Sequence, residues 1–179
     1  MTCPKCTQSV GPATAEGKCP LCGFCLRAFQ QQMTRIYLLS TAFFVSTVVY
    51  GGLVYLLDTQ RLLQPSKMPG FLPYVLLVLG VLVFGAAIKV GQRVATATTM
   101  AAVQRLIIIK LGLIESIAIY GLLIYMLSNS LQWFITFLAL ALLGFMQTAS
   151  QMPSVAEQLS RLAVIEEEQR EGAERFSRP

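Results

Sequence analysis

Histidine is absent from this chain of 179 residues, and charged residues make up only 13% of it. Without histidine, the chain lacks the commonest general base and a usual ligand of open catalytic metal sites. It also has no glycine-rich phosphate loop, no nucleophile–base pair and no pair of carboxylates within its apolar segments. We therefore expect a protein that is not an enzyme.

The scarcity of charge also excludes an ordinary water-soluble domain. Such domains carry about 25% charged residues, whereas 55% of this chain is hydrophobic. Much of its surface must face lipid, so we expect the bilayer to be its main partner. The net charge of +5 agrees with this, because basic residues of membrane proteins set topology and contact anionic headgroups. We do not expect nucleic-acid binding.

Four apolar stretches approach or reach the length of about 20 residues that a helix needs to cross the hydrocarbon core. They are residues 36–57, 71–91, 106–127 and 131–150. The pattern predicts an all-α membrane protein, a four-transmembrane-helix bundle. The polar break at 128–130 is short, so the last two spans should form a tight antiparallel hairpin. Three spans with a re-entrant last stretch are the alternative.

The basic residues favour one orientation of these spans. If the spans alternate, only Arg61 and Lys67 lie on the second side of the membrane. The remaining basic residues lie on the first side: Lys5, Lys18, Arg27, Arg35, Lys89, Arg93, Arg105, Lys110, Arg161, Arg170, Arg175 and Arg178. The positive-inside rule places that side, and both termini, in the cytoplasm of a bacterial-type inner (plasma) membrane. We expect no cleavable signal peptide before the first apolar run.

All cysteines fall near the N-terminus, as CPKC at 3–6 and CPLCGFC at 19–25. Each CxxC turn directs two thiolates toward one tetrahedral site, and two such turns at this spacing are typical of zinc binding. The predicted ligands are Cys3, Cys6, Cys19 and Cys22. Four thiolates leave no position for water, so the zinc would be structural. Disulfides or a redox pair are alternatives, although a cytosolic segment is kept reduced.

This N-terminal segment, residues 1–26, resembles the zinc-ribbon family through its CPKC and CPLCG motifs. The resemblance implies a small metal-stabilised fold and no single function, because zinc ribbons bind nucleic acid, protein or only their own metal. Residues 27–35 are expected to be a short linker that holds the ribbon near the membrane. Cys25 is left over. It could replace Cys22 as a ligand, be acylated, or remain a thiol.

Glu115, within GLIESIAIYGLLIYML at 112–127, is the one acidic residue in the predicted spans. It lies nine residues beyond Leu106, which is roughly 14 Å at 1.5 Å per residue and close to the middle of the bilayer. An ionised carboxylate there costs at least ~2.5 kcal/mol. Lys89 and Lys110 lie nearer the cytoplasmic ends of their spans and are expected to snorkel to the headgroups. We therefore predict no salt bridge to Glu115.

Small polar residues at the same depth are the candidate partners of this carboxyl. Ser46 and Thr47 of the first span lie near the height of Glu115, and Ser116 follows it on the same helix. Gly112 and Ser116 also form a small-xxx-small pair, where a neighbouring helix could approach closely. A group of this kind either binds an ion or proton, or simply holds the helices in register through hydrogen bonds.

The segment RLIIIKLGLIESIAIYGLLIYML is similar to the outer helix of the c subunit (proteolipid) of rotary ATP synthases. The resemblance extends over residues 71–127. It implies that Glu115 binds and releases a transported proton or sodium ion. The chain departs from the family in three respects: the preceding span has few glycines, the connection between the spans is longer, and two spans and a cysteine cluster are added. A standard rotor subunit is therefore not expected.

Residues 151–179 form a polar tail with both signs of charge. Val155, Leu159, Leu162 and Ala163 fall on one face at helical spacing. We predict a solvated amphipathic helix that extends the fourth span. A helix that docks on a partner or associates with itself is the alternative.

Two functions follow from these features. The first is an interaction or assembly component, whose cysteine motif recruits a protein partner to a membrane complex or whose bundle forms a homo-oligomer. The alternative is a proton- or ion-translocating, proteolipid-like subunit that uses Glu115. Carbodiimide labelling of Glu115 would separate the two.

Overall fold

The computed structural model describes Cys3, Cys6, Cys19 and residues 26–60 and 70–176. Every regular element within these residues is an α-helix. The helices are α1 (Leu26–Thr59), α2 (Leu72–Val94), α3 (Met100–Ser128) and α4 (Leu131–Phe176). Each contains a stretch long and apolar enough to cross a membrane. In the residues that the structure describes, the chain is therefore an all-α, multi-pass membrane protein.

Two helices are longer than the predicted spans. α1 has 34 residues and begins at Leu26, so the segment 27–35, expected to be a linker, is already helical. α4 has 46 residues and runs through Pro153 without ending, so the last span is not a re-entrant segment. At 1.5 Å per residue α4 is about 69 Å long, far more than the roughly 30 Å of a hydrocarbon core. Its second half must therefore lie outside the membrane.

The α3–α4 hairpin is the centre of the bundle. Asn129 ends α3 in the left-handed conformation, with φ 51°, and its N–H donates to the Tyr125 carbonyl oxygen at 2.7 Å. α4 then begins at Leu131 and packs back along α3. α1 and α2 pack on this hairpin from the outside and, within the described residues, not on each other. Accordingly, 44% of the residues in an apolar 18-residue segment of α3 are buried, against 11% in the corresponding segments of α1 and α2.

Two glycines let α3 and α4 approach closely. A Cβ atom on Gly121 would lie 2.7 Å from Phe137 Cβ, and one on Gly144 would lie 3.0 Å from the Ile114 side chain. The close approach predicted at Gly112 is wrong within this chain, because a Cβ atom there would meet nothing within 4 Å. α3 and α4 therefore meet at Gly121 and Gly144, and not at Gly112.

The segment of α4 after Ser150 packs against one end of the bundle, which we call the terminal face. This face consists of the start of α1, the 95–99 connection and the α4 segment after Ser150. Here Leu159 is completely buried, the Gln158 Nε2 donates to the Ala97 carbonyl oxygen at 3.3 Å, and the Met100 N–H donates to Glu166 Oε1 at 3.1 Å. The prediction of a solvated tail is therefore wrong for its apolar face, which packs on the chain itself.

Candidate functional site

The carboxyl of Glu115 lies between α3 and α1 and contacts two hydroxyl groups. Ser46 Oγ lies 2.5 Å from Glu115 Oε1, and Tyr50 donates to the same oxygen at 3.2 Å. Ser46 and Tyr50 are four residues apart on α1, so they share one face of that helix. Glu115 itself is partly exposed at the surface of the bundle. The site is thus a single carboxyl held by two hydroxyls from a neighbouring helix.

The hydrogen bonds of Ser46 allow this site to hold Glu115 in either protonation state. The Ser46 hydroxyl has one hydrogen but two acceptors within reach, since the Phe43 carbonyl oxygen lies 2.8 Å away. If Glu115 is ionised, Ser46 and Tyr50 can both donate to it. If Glu115 is protonated, it can donate to Ser46, which then donates to Phe43. Neither state leaves the carboxyl without a partner.

The other two predicted members of the site do not contact Glu115 by any hydrogen bond in the described part of the chain. The Thr47 hydroxyl is fully buried and donates to the Phe43 carbonyl oxygen at 3.1 Å. The Ser116 hydroxyl donates to the Leu113 carbonyl oxygen at 2.7 Å. Both satisfy the preceding turn of their own helix, which is a common arrangement for these residues.

Tyr50 is a member of the site that the sequence analysis did not name. The sequence signal for Tyr50 is its spacing of four residues from Ser46, which puts the two hydroxyls on one face of α1.

The sequence analysis also did not predict a second carboxyl–hydroxyl contact between the same two helices. At the opposite end of the bundle from the terminal face, the fully buried Tyr125 donates to Asp58 Oδ1 at 3.2 Å. Two such contacts fix the register of α1 on α3.

Lys110 does not extend to the headgroups, contrary to the prediction. Its side chain is 2% exposed, and Nζ donates to Gln151 Oε1 of α4 at 2.6 Å. Lys89, by contrast, is exposed, and its extension to the headgroups stays a prediction. The two lysines differ because Lys110 lies on the face of α3 that packs against α4, whereas Lys89 lies on the outer face of α2.

Three of the predicted metal ligands lie together. The sulfur atoms of Cys3, Cys6 and Cys19 are all within 4.8 Å of one another. Those of Cys6 and Cys19 are 3.8 Å apart, far longer than the roughly 2.05 Å of a disulfide bond. Three thiolates at this separation could hold one metal ion. Cys22, the fourth predicted ligand, and the spare Cys25 lie outside the described residues.

This cysteine cluster, formed by Cys3, Cys6 and Cys19, packs on the terminal face. Cys3 and Cys19 are 1% and 2% exposed and share an apolar cluster with Ala163 of α4. Phe29 of α1 and Met100 of α3 complete the contact. The cluster therefore joins the start of α1 to the α4 segment after Ser150.

Comparison of the chain with protein-family models, curated proteins and solved structures gave no match. Neither the zinc-ribbon nor the proteolipid resemblance is supported by these comparisons. A function for the chain must therefore be argued from its residues and their geometry.

Proposed function

We propose that this is a non-enzymatic multi-pass membrane protein that serves as an interaction or assembly component of a membrane complex. The observation that supports this best is the packing of Cys3 and Cys19 against Ala163 and Phe29. A metal-stabilised module attached in this way is fixed on the end of the bundle, where a protein partner or a second copy of the chain could bind it.

The metal in this proposal is structural zinc. Four thiolates at about 2.3 Å from a tetrahedral zinc ion lie about 3.8 Å from each other, and the sulfurs of Cys6 and Cys19 have a separation of 3.8 Å. Cys22 would supply the fourth thiolate. With all four positions taken by sulfur, the zinc would have no open site for water or substrate, which agrees with a structural role.

The proposed location is the plasma membrane of a bacterial-type cell, with the terminal face in the cytoplasm. Arg35, Arg93, Arg105 and Arg161 all belong to the terminal face or to the helix ends next to it. The positive-inside rule assigns such a basic end to the cytoplasm. The reducing cytosol would also keep the thiolates available for zinc.

Cross-linking in intact cells tests the assembly function. The full-length protein is compared with a Cys3→Ser/Cys19→Ser variant at equal membrane abundance, and Cys25→Ser is the control that leaves all four predicted ligands in place. We expect the double variant to lose bound zinc and its cross-linked partner or dimer, while Cys25→Ser keeps both. Unchanged cross-links in a zinc-free double variant would exclude this function for the cysteine cluster.

A second function, reversible proton binding in the manner of a proteolipid, is favoured by the geometry of Glu115. The carboxyl lies in the middle of α3, is partly exposed at the surface of the bundle, and can keep hydrogen-bond partners whether protonated or ionised. A proton-carrying group needs all three properties. A carboxyl that only holds helices together needs a hydrogen-bond partner and neither of the other two properties.

Labelling with dicyclohexylcarbodiimide tests proton binding, because this reagent attacks protonated carboxyls in apolar surroundings. We expect labelling of Glu115 to fall as the pH rises, because the reactive protonated form is lost. Glu115→Gln is the control for reaction at other carboxyls. Labelling that does not change with pH, or a Glu115→Gln variant with full function in cells, would restrict Glu115 to a packing role.

A further inference from the structure

A cavity of about 380 Å³, lined by both apolar and polar side chains, opens at the terminal face, between the end of α2, the first third of α3 and α4. It is separate from the Glu115 site and from the cysteine cluster. Its wall includes Gly91, Lys110, Thr148, Gln151, Gln158 and Arg161. The residues of this wall come from three helices, so the cavity is a product of the bundle and not of one helix surface.

Lys110 brings a buried positive charge to this cavity. Its side chain is 2% exposed, and the ammonium group has three N–H donors, of which the bond to Gln151 Oε1 at 2.6 Å uses one. No carboxylate among the described residues pairs with Lys110, since Glu157, the acidic residue of the wall, pairs with Arg161 at 2.6 Å. A buried charge without a counter-charge is costly. A bound anion would supply both the counter-charge and acceptors for the remaining donors.

Gly91 keeps the space around this ammonium group open. A Cβ atom at this position would lie 3.1 Å from Lys110 Nζ and 3.2 Å from Gln151 Oε1. Any residue other than glycine would therefore occupy the volume next to Nζ where a ligand oxygen could bind. The described charged groups of the wall, Lys110, Arg161 and Glu157, leave the cavity with a net positive charge.

The position of the cavity along the bundle matches the headgroup level of a bilayer. Lys110 lies four residues after Leu106, the start of the predicted apolar span, and Gln151 immediately follows the apolar stretch 131–150. At 1.5 Å per residue Lys110 is about 6 Å inside the hydrocarbon boundary. The wall residues Gln158 and Arg161 lie beyond that boundary. An anionic group of a lipid can therefore reach Nζ from the headgroup region.

Apolar surface adjoins the cavity. A second cavity of about 440 Å³ is lined by Phe44, Leu111 and Phe145, and it shares Thr148 and Met152 with the wall of the first. A phospholipid has an anionic phosphate and apolar chains that suit two such adjacent surfaces. A free phosphate ion would use only the first cavity, where the Lys110 ammonium group lies.

We propose that the cavity between α2, α3 and α4 binds the phosphate of an anionic phospholipid, with the Lys110 ammonium group as its main contact. Gln151 orients the ammonium group, Gly91 leaves room for the phosphate oxygens, and Arg161 attracts negative charge to the entrance. This site does not depend on either function proposed for the cysteine cluster or for Glu115.

Thermal unfolding of the full-length protein in detergent tests the proposal. Phosphatidylglycerol, phosphatidylcholine with the same acyl chains, and inorganic phosphate are titrated separately. We expect only phosphatidylglycerol to raise the unfolding temperature of the wild-type protein at low concentration. An equal effect of phosphatidylcholine would contradict a site for an anion. An effect of inorganic phosphate alone would contradict the assignment to a lipid.

Four variants show whether the effect of phosphatidylglycerol depends on this cavity. Lys110→Gln removes the charge, and its control Lys89→Gln removes an exposed charge from α2 near the same face. Gly91→Ala keeps every charge but fills the space, and its control Gly85→Ala adds a Cβ that meets nothing within 4 Å. We expect the half-saturating lipid concentration to rise about tenfold or more for Lys110→Gln and Gly91→Ala, and to stay unchanged for both controls.

Equal lipid responses in all variants would overturn the proposal, because they would indicate attraction to the general positive charge of the terminal face. If Lys110→Gln does not fold, Gly91→Ala against Gly85→Ala decides the question alone.

Discussion

Glu115 Oε1 in α3 lies 2.5 Å from Ser46 Oγ in α1. This contact joins two helices that are far apart in sequence, at a depth predicted to lie near the middle of the bilayer. α1 otherwise contacts the bundle through few buried residues, since most of its apolar side chains face outward. The Ser46–Glu115 and Asp58–Tyr125 hydrogen bonds therefore determine how α1 is placed on α3.

Replacing Ser46 by alanine should weaken the attachment of α1. We expect Ser46→Ala to lower the free energy of unfolding by about 0.6–1.7 kcal/mol, the range found for interhelical hydrogen bonds in membranes. Ser40→Ala is the matched control, because the buried Ser40 hydroxyl has no hydrogen-bond partner among the described residues and its loss should be neutral or stabilising. Unfolding by a denaturing detergent measures the free energy of unfolding of both variants. Equal losses for the two variants would show that the Ser46 contact contributes nothing.

Glycine positions on α3 should differ sharply in their tolerance of a methyl group. Gly121→Ala places a Cβ 2.7 Å from Phe137 Cβ, and we expect this overpacking to cost about 1–3 kcal/mol. Gly112→Ala meets nothing within 4 Å, and alanine is favoured over glycine in a helix by about 0.5–1 kcal/mol. Thermal unfolding in detergent should therefore rank Gly112→Ala at or above the wild type, and Gly121→Ala below it. The reverse order would contradict the packing of α3 on α4.

The α4 segment after Ser150 should contribute to stability even though it lies outside the membrane. Leu159 is fully buried there, whereas Ile165 is 48% exposed. We expect Leu159→Ala to lower the free energy of unfolding by about 2–5 kcal/mol, because burial in this region removes apolar surface from water. Ile165→Ala should change it by less than about 0.5 kcal/mol. Similar small effects at both positions would indicate a tail that does not pack on the terminal face.

Removal of the metal should loosen the terminal face and leave the far end of the bundle intact. The cysteine cluster packs on Phe29, Met100 and Val164, so chelation should increase hydrogen exchange of the backbone around these residues. Around the Tyr74–Trp133 contact at the other end, with ring centroids 5.2 Å apart, exchange should not change. Exchange followed by mass spectrometry measures both regions. No change around Met100 on chelation would show that the cluster is not coupled to the bundle.

The sequence predicted how deep each residue lies in the membrane better than it predicted which face of each helix packs inward. Apolar runs set where a helix enters and leaves the bilayer, and a rise of 1.5 Å per residue then matched Ser46 to Glu115. Which face of a helix packs inward is a different question. Lipid is as apolar as the interior of the bundle, so a helix that is hydrophobic on all sides carries little signal about its orientation. The wrong predictions for Gly112 and Lys110 both have this cause.

Outside the membrane, the spacing of apolar residues in α4 indicated a buried face, whereas the sequence analysis predicted a solvated helix. Val155, Leu159 and Leu162 follow helical spacing next to water, where an apolar face does need a partner. The partner is the chain itself, because α4 continues from the bundle as one helix and the 95–99 connection lies beside it. Which surface covers such a face could not be predicted from the spacing alone. The binding of a metal by the cysteine cluster, and its identity as zinc, likewise stay predictions from the CxxC spacing.

The most direct test of the account is the reactivity of Glu115 toward two carbodiimides in membranes. A lipid-soluble carbodiimide should modify Glu115, whereas a water-soluble one should modify the exposed Glu157 and leave Glu115 unmodified. Peptide mass spectrometry after each reaction locates the modified residues. Modification of Glu115 by the water-soluble reagent, to the same extent as Glu157, would contradict the placement of this carboxyl within the membrane.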